Sequence, residues 1–175
     1  MKYMKLKQQI VIDLEHVIDV DWVSTSTLKV ESDLISHWAV LALNHCSAVP
    51  TEISVKVVDK AEIRQLNAEY RGKQSETNVL SFPLGVQTEN EKKLLGDLVI
   101  CADVVQEEAL AQNKLSSAHF AHMVVHGVLH LLGYDHIKED DAEVMEEKEI
   151  KILRDIGIAN PYIEPDNFAQ GNINE

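Results

Sequence analysis

Cysteine and basic residues are scarce in this sequence, and each scarcity excludes a class of protein. The two cysteines, Cys46 and Cys101, lie far apart and form no metal-binding motif. They favour a reducing compartment and two small apolar side chains over a disulfide framework. Only 16 basic residues stand against 29 acidic ones, so the formal net charge is −13. Since phosphate affinity comes largely from lysine and arginine, this balance argues against a general nucleic-acid coat protein and leaves room for an enzyme with a local basic cleft.

Long apolar runs are missing as well. Ile10, Val11 and Ile12 follow a few lysines, but Asp13 and Glu15 interrupt them, so this stretch is neither a signal peptide nor a membrane span. We therefore expect a cytoplasmic protein with no membrane partner. The sequence has no internal repeat, and 45% hydrophobic residues are enough to bury a core. We expect a single domain over residues 1–175, with 1–9 and 160–175 as loose ends.

The hydrophobic pattern predicts an α+β fold of mixed α/β type, with about four strands in one mixed sheet and about five covering helices. The expected order is strand, helix, strand, helix, two strands and three helices. The predicted strands are 10–15, 52–58, 79–84 and 94–101, and the predicted helices are 32–45, 60–71, 104–113, 118–132 and 138–156. Residues 17–28 and 85–93 are expected to be loops. The predicted helix N-caps are Asp59 (in a capping box with Glu62), Asp103, Ser116 or Ser117, and Asp140 or Asp141.

Three histidines near the C-terminal end of the fourth helix predict a metal site. His126 and His130 lie one helical turn apart and share a face. Gly133 suits the left-handed position that ends a helix, so the following turn can bring His136 back toward them. Three protein ligands and a water form the open, catalytic type of zinc site, on a zincin-like metal helix. The alternatives are hydrogen-bonded buried histidines and a purely structural metal, although no clear fourth protein ligand is present.

Three further residues of this segment are expected to support the ligands. His122 shares the helix face, but a straight helix does not easily bring three histidines spanning two turns to one ion. We therefore assign His122 and His119 to supporting or packing roles. Asp135 is a candidate acceptor for a ligand's free ring N–H, with an ordinary turn residue as the alternative. Glycine at position 127 replaces the glutamate base of the His-Glu-x-x-His zinc proteases, which argues against ordinary peptide hydrolysis and favours metal chemistry at water or phosphate.

Three stretches resemble the YbeY family of bacterial rRNA maturation factors over about residues 50–162. They are HGVLHLLGYDH (126–136), YRGKQSETNVLSFP (70–83) and LGDLVIC (95–101). The resemblance implies a zinc-dependent, single-strand-specific endoribonuclease acting in 3′-end maturation of 16S rRNA and in ribosome quality control. It implies His126, His130 and His136 as the zinc ligands and Arg71 as the functional arginine. Its expected partners are single-stranded RNA of the small ribosomal subunit and a small-subunit ribosomal protein or ribosome-associated GTPase.

Arg71 suits that chemistry because a guanidinium binds phosphate in a bidentate fork and stays charged. We expect Arg71 and His126 to be catalytic, with Arg71 clamping the scissile phosphate while a water or the neighbouring 2′-hydroxyl attacks. Lys73 is expected to add a phosphate contact, or to be a solvated loop cation, and Thr77 and Asn78 to add hydrogen bonds. Two rival hypotheses are a metallohydrolase of a small molecule or peptide, and a non-catalytic ribosome-assembly factor with structural zinc.

Overall fold

Four strands and five helices make up the part of the chain that the structure, a computed structural model, describes: residues 15–47, 49–89 and 92–163. The element order is the predicted one, and the α+β fold class is confirmed. The elements are β1 (Val17–Trp22), α1 (Ser32–Cys46), β2 (Thr51–Val58), α2 (Lys60–Arg71), β3 (Val79–Gln87), β4 (Lys93–Cys101), α3 (Ala102–Ala111), α4 (Ser116–Leu131) and α5 (Glu139–Asp155). No helix among these residues is long and apolar enough to cross a membrane.

The strands form one mixed sheet in the order β1-β2-β4-β3. β1, β2 and β4 are parallel to one another, and β3 runs antiparallel to β4 at an edge. Pro83 lies in this edge strand, where a missing backbone N–H costs no central ladder bond. The two central strands are largely buried because helices cover both faces.

The larger core lies between the sheet and α4. Ile53 and Leu98 of the sheet pack there with Phe120 and Val124 of α4, all fully buried. α4 also contacts α1, α3, α5 and β3, so it is the central helix of the fold. A smaller cluster on the other face of the sheet packs Ile63 of α2 against neighbouring strands. Helix α4 is therefore held on several sides, while its C-terminal end stays accessible.

Several predicted boundaries are corrected by the structure. The first described strand is β1, which lies inside the segment predicted to be irregular. Its residues alternate between exposed and half-buried positions, because it is an edge strand paired only with β2 among the described elements. The predicted strand at 10–15 lies outside the described residues except for Glu15, which is not in a strand. β3 continues to Gln87, so the predicted loop at 85–93 is shorter.

The predicted N-caps are the least accurate part of the sequence analysis. Asp59 does precede α2, but its carboxylate accepts hydrogen bonds from the Ser24 hydroxyl and from the backbone and hydroxyl of Thr25. Glu62 pairs with Lys56 at 2.6 Å, so the capping box is wrong. The predicted caps of the last three helices lie inside their first turns, and the residues in the cap positions are Cys101, Leu115 and Lys138.

Candidate active site

The end of α4 brings the three predicted histidines together. His126 and His130 lie on the last turns of the helix, and Gly133 follows with φ +95°, the left-handed conformation expected there. Backbone bonds from Gly133 to His130 and from Tyr134 to Leu129 close the turn. One nitrogen each of His126, His130 and His136 then lies within 4.8 Å of the others. The local sequence pattern is thus sufficient to assemble this cluster.

The tautomers of two histidines follow from their partners. His126 Nδ1 lies 2.5 Å from Glu149 Oε1, and His130 Nδ1 lies 2.9 Å from the carbonyl oxygen of Tyr134. A carboxylate and a carbonyl only accept, so each Nδ1 donates and each Nε2 of the neutral imidazole keeps its lone pair. Those two Nε2 atoms face each other at 3.0 Å.

A metal ion suits this arrangement. Two lone pairs at such a distance repel unless a cation lies between them, and tetrahedral zinc holds its ligand nitrogens about 3.3 Å apart. Burial, followed by the electrostatic effect of the neighbouring His126, lowers the pKa of His130 and so favours the neutral form that binds a metal. The donor set therefore fits a divalent metal of the zinc type.

Glu149 of α5 is a site residue that the sequence analysis missed. Its side chain is fully buried, whereas the other acids of α5 are exposed or half-buried. Besides His126, it bonds His122 Nε2 at 3.0 Å and accepts a hydrogen bond from the Tyr162 hydroxyl. A signal was present: Glu149 lies four residues after Met145 and three before Ile152, both buried, so an acid occupies the apolar stripe of the helix.

The Glu149 carboxylate is ionised. Burial raises its pKa, but hydrogen bonds from His122 and His126 outweigh that effect and hold the pKa at about 2. Burial in turn lowers the pKa of His122. The pKa of Tyr162 is raised by burial and by the hydrogen bond to Glu149, so its hydroxyl stays protonated and donates.

One cleft of about 680 Å³ is lined on one side by the three histidines and on the other by the Arg71 segment, residues 71–81. Arg71 is the last residue of α2, and Gly72 follows it in the C-cap position with φ +69°. Its Nη2 donates to the carbonyl oxygen of Ser81 at 2.8 Å, and its guanidinium lies 5.6 Å from the Phe82 ring centre. Because a guanidinium has five N–H donors, this bond orients the group and leaves others for an anion.

The other predicted site residues occupy different parts of this region. Lys73 and Thr77 line the cleft, exposed and half-buried respectively. Asn78 also lines it, but its amide donates to both Glu108 carboxylate oxygens and its Oδ1 accepts from the backbone of Val79. Asn78 is thus bonded within the wall of the cleft.

Glu108 extends this hydrogen-bonded wall away from the cleft. One of its carboxylate oxygens bonds His119 Nε2 at 2.7 Å while the amide of Asn78 donates to both. Burial raises the pKa of Glu108, but the hydrogen bonds from His119 and Asn78 outweigh it and lower the pKa.

Asp135 and His122 are two of the residues that were expected to support the ligands. Asp135 lines the cleft, yet it accepts the backbone N–H of His136 at 2.7 Å, while Glu149 and the Tyr134 carbonyl receive the ligand N–H groups. His122 lines a second cavity of about 570 Å³, bonds Glu149, and has its ring centre 6.2 Å from that of His126. The supporting role of His122 stays a prediction.

Comparisons with known proteins indicate the family to which this cleft belongs. A family model described as "Endoribonuclease YbeY" matches residues 22–157. The solution structure of TM1509 from Thermotoga maritima is 25% identical, with a TM-score of 0.55, and the match covers 80% of this chain and 89% of that one. The family match spans both the Arg71 segment and the three histidines, which are the two walls of the cleft. On that match over most of its length, the chain belongs to the YbeY family of endoribonucleases.

Proposed function

We propose that this protein is a Zn²⁺-dependent, single-strand-specific endoribonuclease that matures the 3′ end of 16S rRNA in the cytoplasm and takes part in ribosome quality control. Family membership supports an endoribonuclease role in rRNA processing. The observation that carries the proposal is the shared cleft, in which Arg71 and the three histidines line one space. An arginine beside a metal site suits a phosphodiester, which carries negative charge at the reacting centre.

In this mechanism His126, His130 and His136 hold the metal, and Arg71 holds the scissile phosphate. When bound, the metal supplies Lewis acidity, which polarises a phosphoryl oxygen and lowers the pKa of a water. Arg71 is held at the cleft by Ser81 and Phe82, so its charge is in place before the substrate arrives. Lys73 and Thr77 contact the RNA on the same wall, while Asn78 supports that wall through Glu108.

The net charge of −13 bears on how RNA reaches this cleft. A strongly acidic protein repels the phosphate backbone, so we propose weak intrinsic RNA affinity and delivery by a small-subunit ribosomal protein or a ribosome-associated GTPase. Tight unaided binding to arbitrary single-stranded RNA at physiological salt would contradict this part of the proposal.

The test combines metal analysis with cleavage of a single-stranded RNA by wild type, His126→Ala and Arg71→Ala. We expect His126→Ala to lose metal and activity together. Arg71→Ala should keep the metal but cleave about 10²–10³-fold more slowly, the usual cost of one donor to a developing oxyanion. His37→Ala and Arg154→Ala are the matched controls, because both residues are exposed and lie outside the cleft lining.

Three outcomes would contradict the proposal. A folded, metal-free His126→Ala protein that still supports rRNA maturation would remove the metal from the reaction. Undiminished cleavage by Arg71→Ala would remove the arginine. Activity on a small molecule or peptide, with none on RNA, would replace the substrate class. End-group analysis then identifies the nucleophile, because a 2′,3′-cyclic phosphate arises when the 2′-hydroxyl attacks.

A further inference from the structure

Glu149 is a buried charge with a complete set of partners. Its carboxylate lies between α4 and α5 and is fully buried. An ionised carboxylate in such a place is very costly unless hydrogen bonds compensate for the lost water. Here Oε1 accepts from His126, and Oε2 accepts from His122 and from the Tyr162 hydroxyl. Two histidines one turn apart on α4 therefore share one carboxylate from α5.

The contact with His126 determines what that histidine can do in the cleft. An ionised carboxylate only accepts, so the proton of the neutral His126 ring stays on Nδ1. The lone pair is then on Nε2, the atom that lies 3.0 Å from His130 Nε2. Without this acceptor, the Nε2–H tautomer becomes available, and in that form the ring cannot bind a metal through Nε2. The bond also fixes the rotation of the ring.

The other two histidines of the cluster are held differently. The Nδ1 of His130 donates to the backbone carbonyl of Tyr134, a contact that no side-chain substitution removes. The backbone N–H of His136 donates to Asp135, and its side chain is exposed. Among the described contacts, Glu149 is therefore the side chain that fixes a ring nitrogen of the cluster.

We propose that Glu149 is a positioning residue for the metal site: it holds His126 in the Nδ1–H tautomer with Nε2 directed at His130. The inference rests on the proposed function, because it takes the three-histidine cluster to bind a metal. His122 and Tyr162 support the carboxylate by occupying Oε2, which leaves Oε1 for His126. Acceptors behind metal-binding histidines typically change metal affinity 10- to 100-fold when they are removed.

Glu149→Gln tests this role, because glutamine keeps the size of the side chain but lacks the charge and has one acceptor oxygen, which cannot serve both His126 and the donors now bonded to Oε2. Zinc affinity is measured by competition with a chromophoric chelator. We expect wild type to bind one metal per chain. The zinc affinity of Glu149→Gln should be about 10- to 100-fold lower than that of wild type. The matched control is Glu147→Gln, an exposed acid of the same helix, which should bind zinc as wild type does. Circular dichroism establishes that each variant is folded.

Two further measurements separate positioning from general support of the fold. Nitrogen-15 NMR of the metal-free wild type should show His126 with its proton on Nδ1, a result that requires no variant to fold. The same spectrum of metal-free Glu149→Gln should show part of the His126 protons on Nε2, the tautomer that the carboxylate excludes in wild type. An unchanged His126 tautomer in Glu149→Gln would overturn the inference, as would a wild-type His126 protonated on Nε2.

The outcomes also distinguish this inference from the proposed function. If wild type binds zinc and cleaves RNA, and Glu149→Gln has wild-type affinity, the positioning role alone is overturned. If Glu149→Gln loses affinity but wild type does not cleave RNA, the positioning role is supported and the endoribonuclease mechanism fails. If wild type binds no metal, both fail. Two zinc ions per chain would make Glu149 a ligand and overturn the positioning role.

Discussion

Replacing Gly127 by alanine tests how closely α4 lies on the sheet. Gly127 is buried and lies next to His126 in the helix. A Cβ added there would be 2.8 Å from Leu98 Cδ2, 3.3 Å from Leu98 Cδ1 and 3.3 Å from Val79 Cγ2. Leu98 is fully buried in the core, so its methyl groups cannot simply swing into solvent. One added carbon therefore forces the helix, the strand or Leu98 to shift.

Two opposing terms set the size of the effect. Alanine in a helix interior is about 1 kcal/mol more favourable than glycine. An extra methyl in a packed core costs about 1–3 kcal/mol. The expected net result is a loss of about 0–2 kcal/mol in the free energy of unfolding. Gly127→Glu should be far worse, because its carboxylate would enter the core at Leu98 without a partner and could not serve as a base in the cleft.

Urea unfolding of the metal-free protein measures this balance in a double-mutant cycle with Leu98→Val. Valine removes the outer methyl groups that clash, so Gly127→Ala should be less harmful in the Leu98→Val background than in wild type. We expect a favourable coupling of about 1 kcal/mol. Two results would refute the reasoning. One is a gain of the full 1 kcal/mol or so from Gly127→Ala alone, which would mean that the interface has room. The other is a cycle without coupling.

Two more predictions follow from the same structure. Gly96→Ala should cost more than about 3 kcal/mol or prevent folding, because Gly96 has φ +147° and an added Cβ would lie 2.2 Å from the backbone oxygen of Phe82; near-wild-type thermal unfolding would contradict this. The pKa of Glu108 is lowered in the folded protein because hydrogen bonds outweigh the effect of burial. Its ionised carboxylate therefore stabilises the fold above the unfolded-state pKa of 4.5, and this contribution is lost as the pH falls through the lower folded-state pKa. Wild type should therefore lose its advantage over Glu108→Gln in urea unfolding as the pH falls below 4.5, and parallel pH profiles would count against it.

The histidine cluster could be predicted from the sequence because the three residues that form it lie close together in the chain. Helical spacing puts His126 and His130 on one face, and Gly133 permits the turn that returns His136. The order of strands and helices could also be predicted, because hydrophobic residues recur with a different period in a strand than in a helix. The placement of Arg71 was not, because 55 residues separate it from His126 and only the pairing of β3 with β4 and the packing of α4 against β3 bring them to one cleft.

Two features that the sequence analysis missed depend on distant partners. Asp59 has the right position for a helix cap, but Ser24 and Thr25 from another loop donate to its carboxylate. Glu149 looks like one more acid on a charged helix until α4 supplies His122 and His126 as donors. In both cases a polar side chain forms hydrogen bonds with residues remote in sequence, and local propensity does not detect such bonds.

Ser81 shows why the two walls of the cleft keep a fixed relation. Its carbonyl oxygen accepts from Arg71 Nη2 at 2.8 Å, and its hydroxyl donates to the carbonyl oxygen of Gly127 at 3.2 Å. The same residue of β3 therefore contacts the arginine on one side and the helix turn that carries His126 on the other. This approach depends on the missing side chain at position 127, where a Cβ would push Leu98 and Val79 away. Gly127 stands where the zinc proteases have their glutamate base. Its small size also lets β3 approach α4 closely enough for Ser81 to contact both the helix and Arg71.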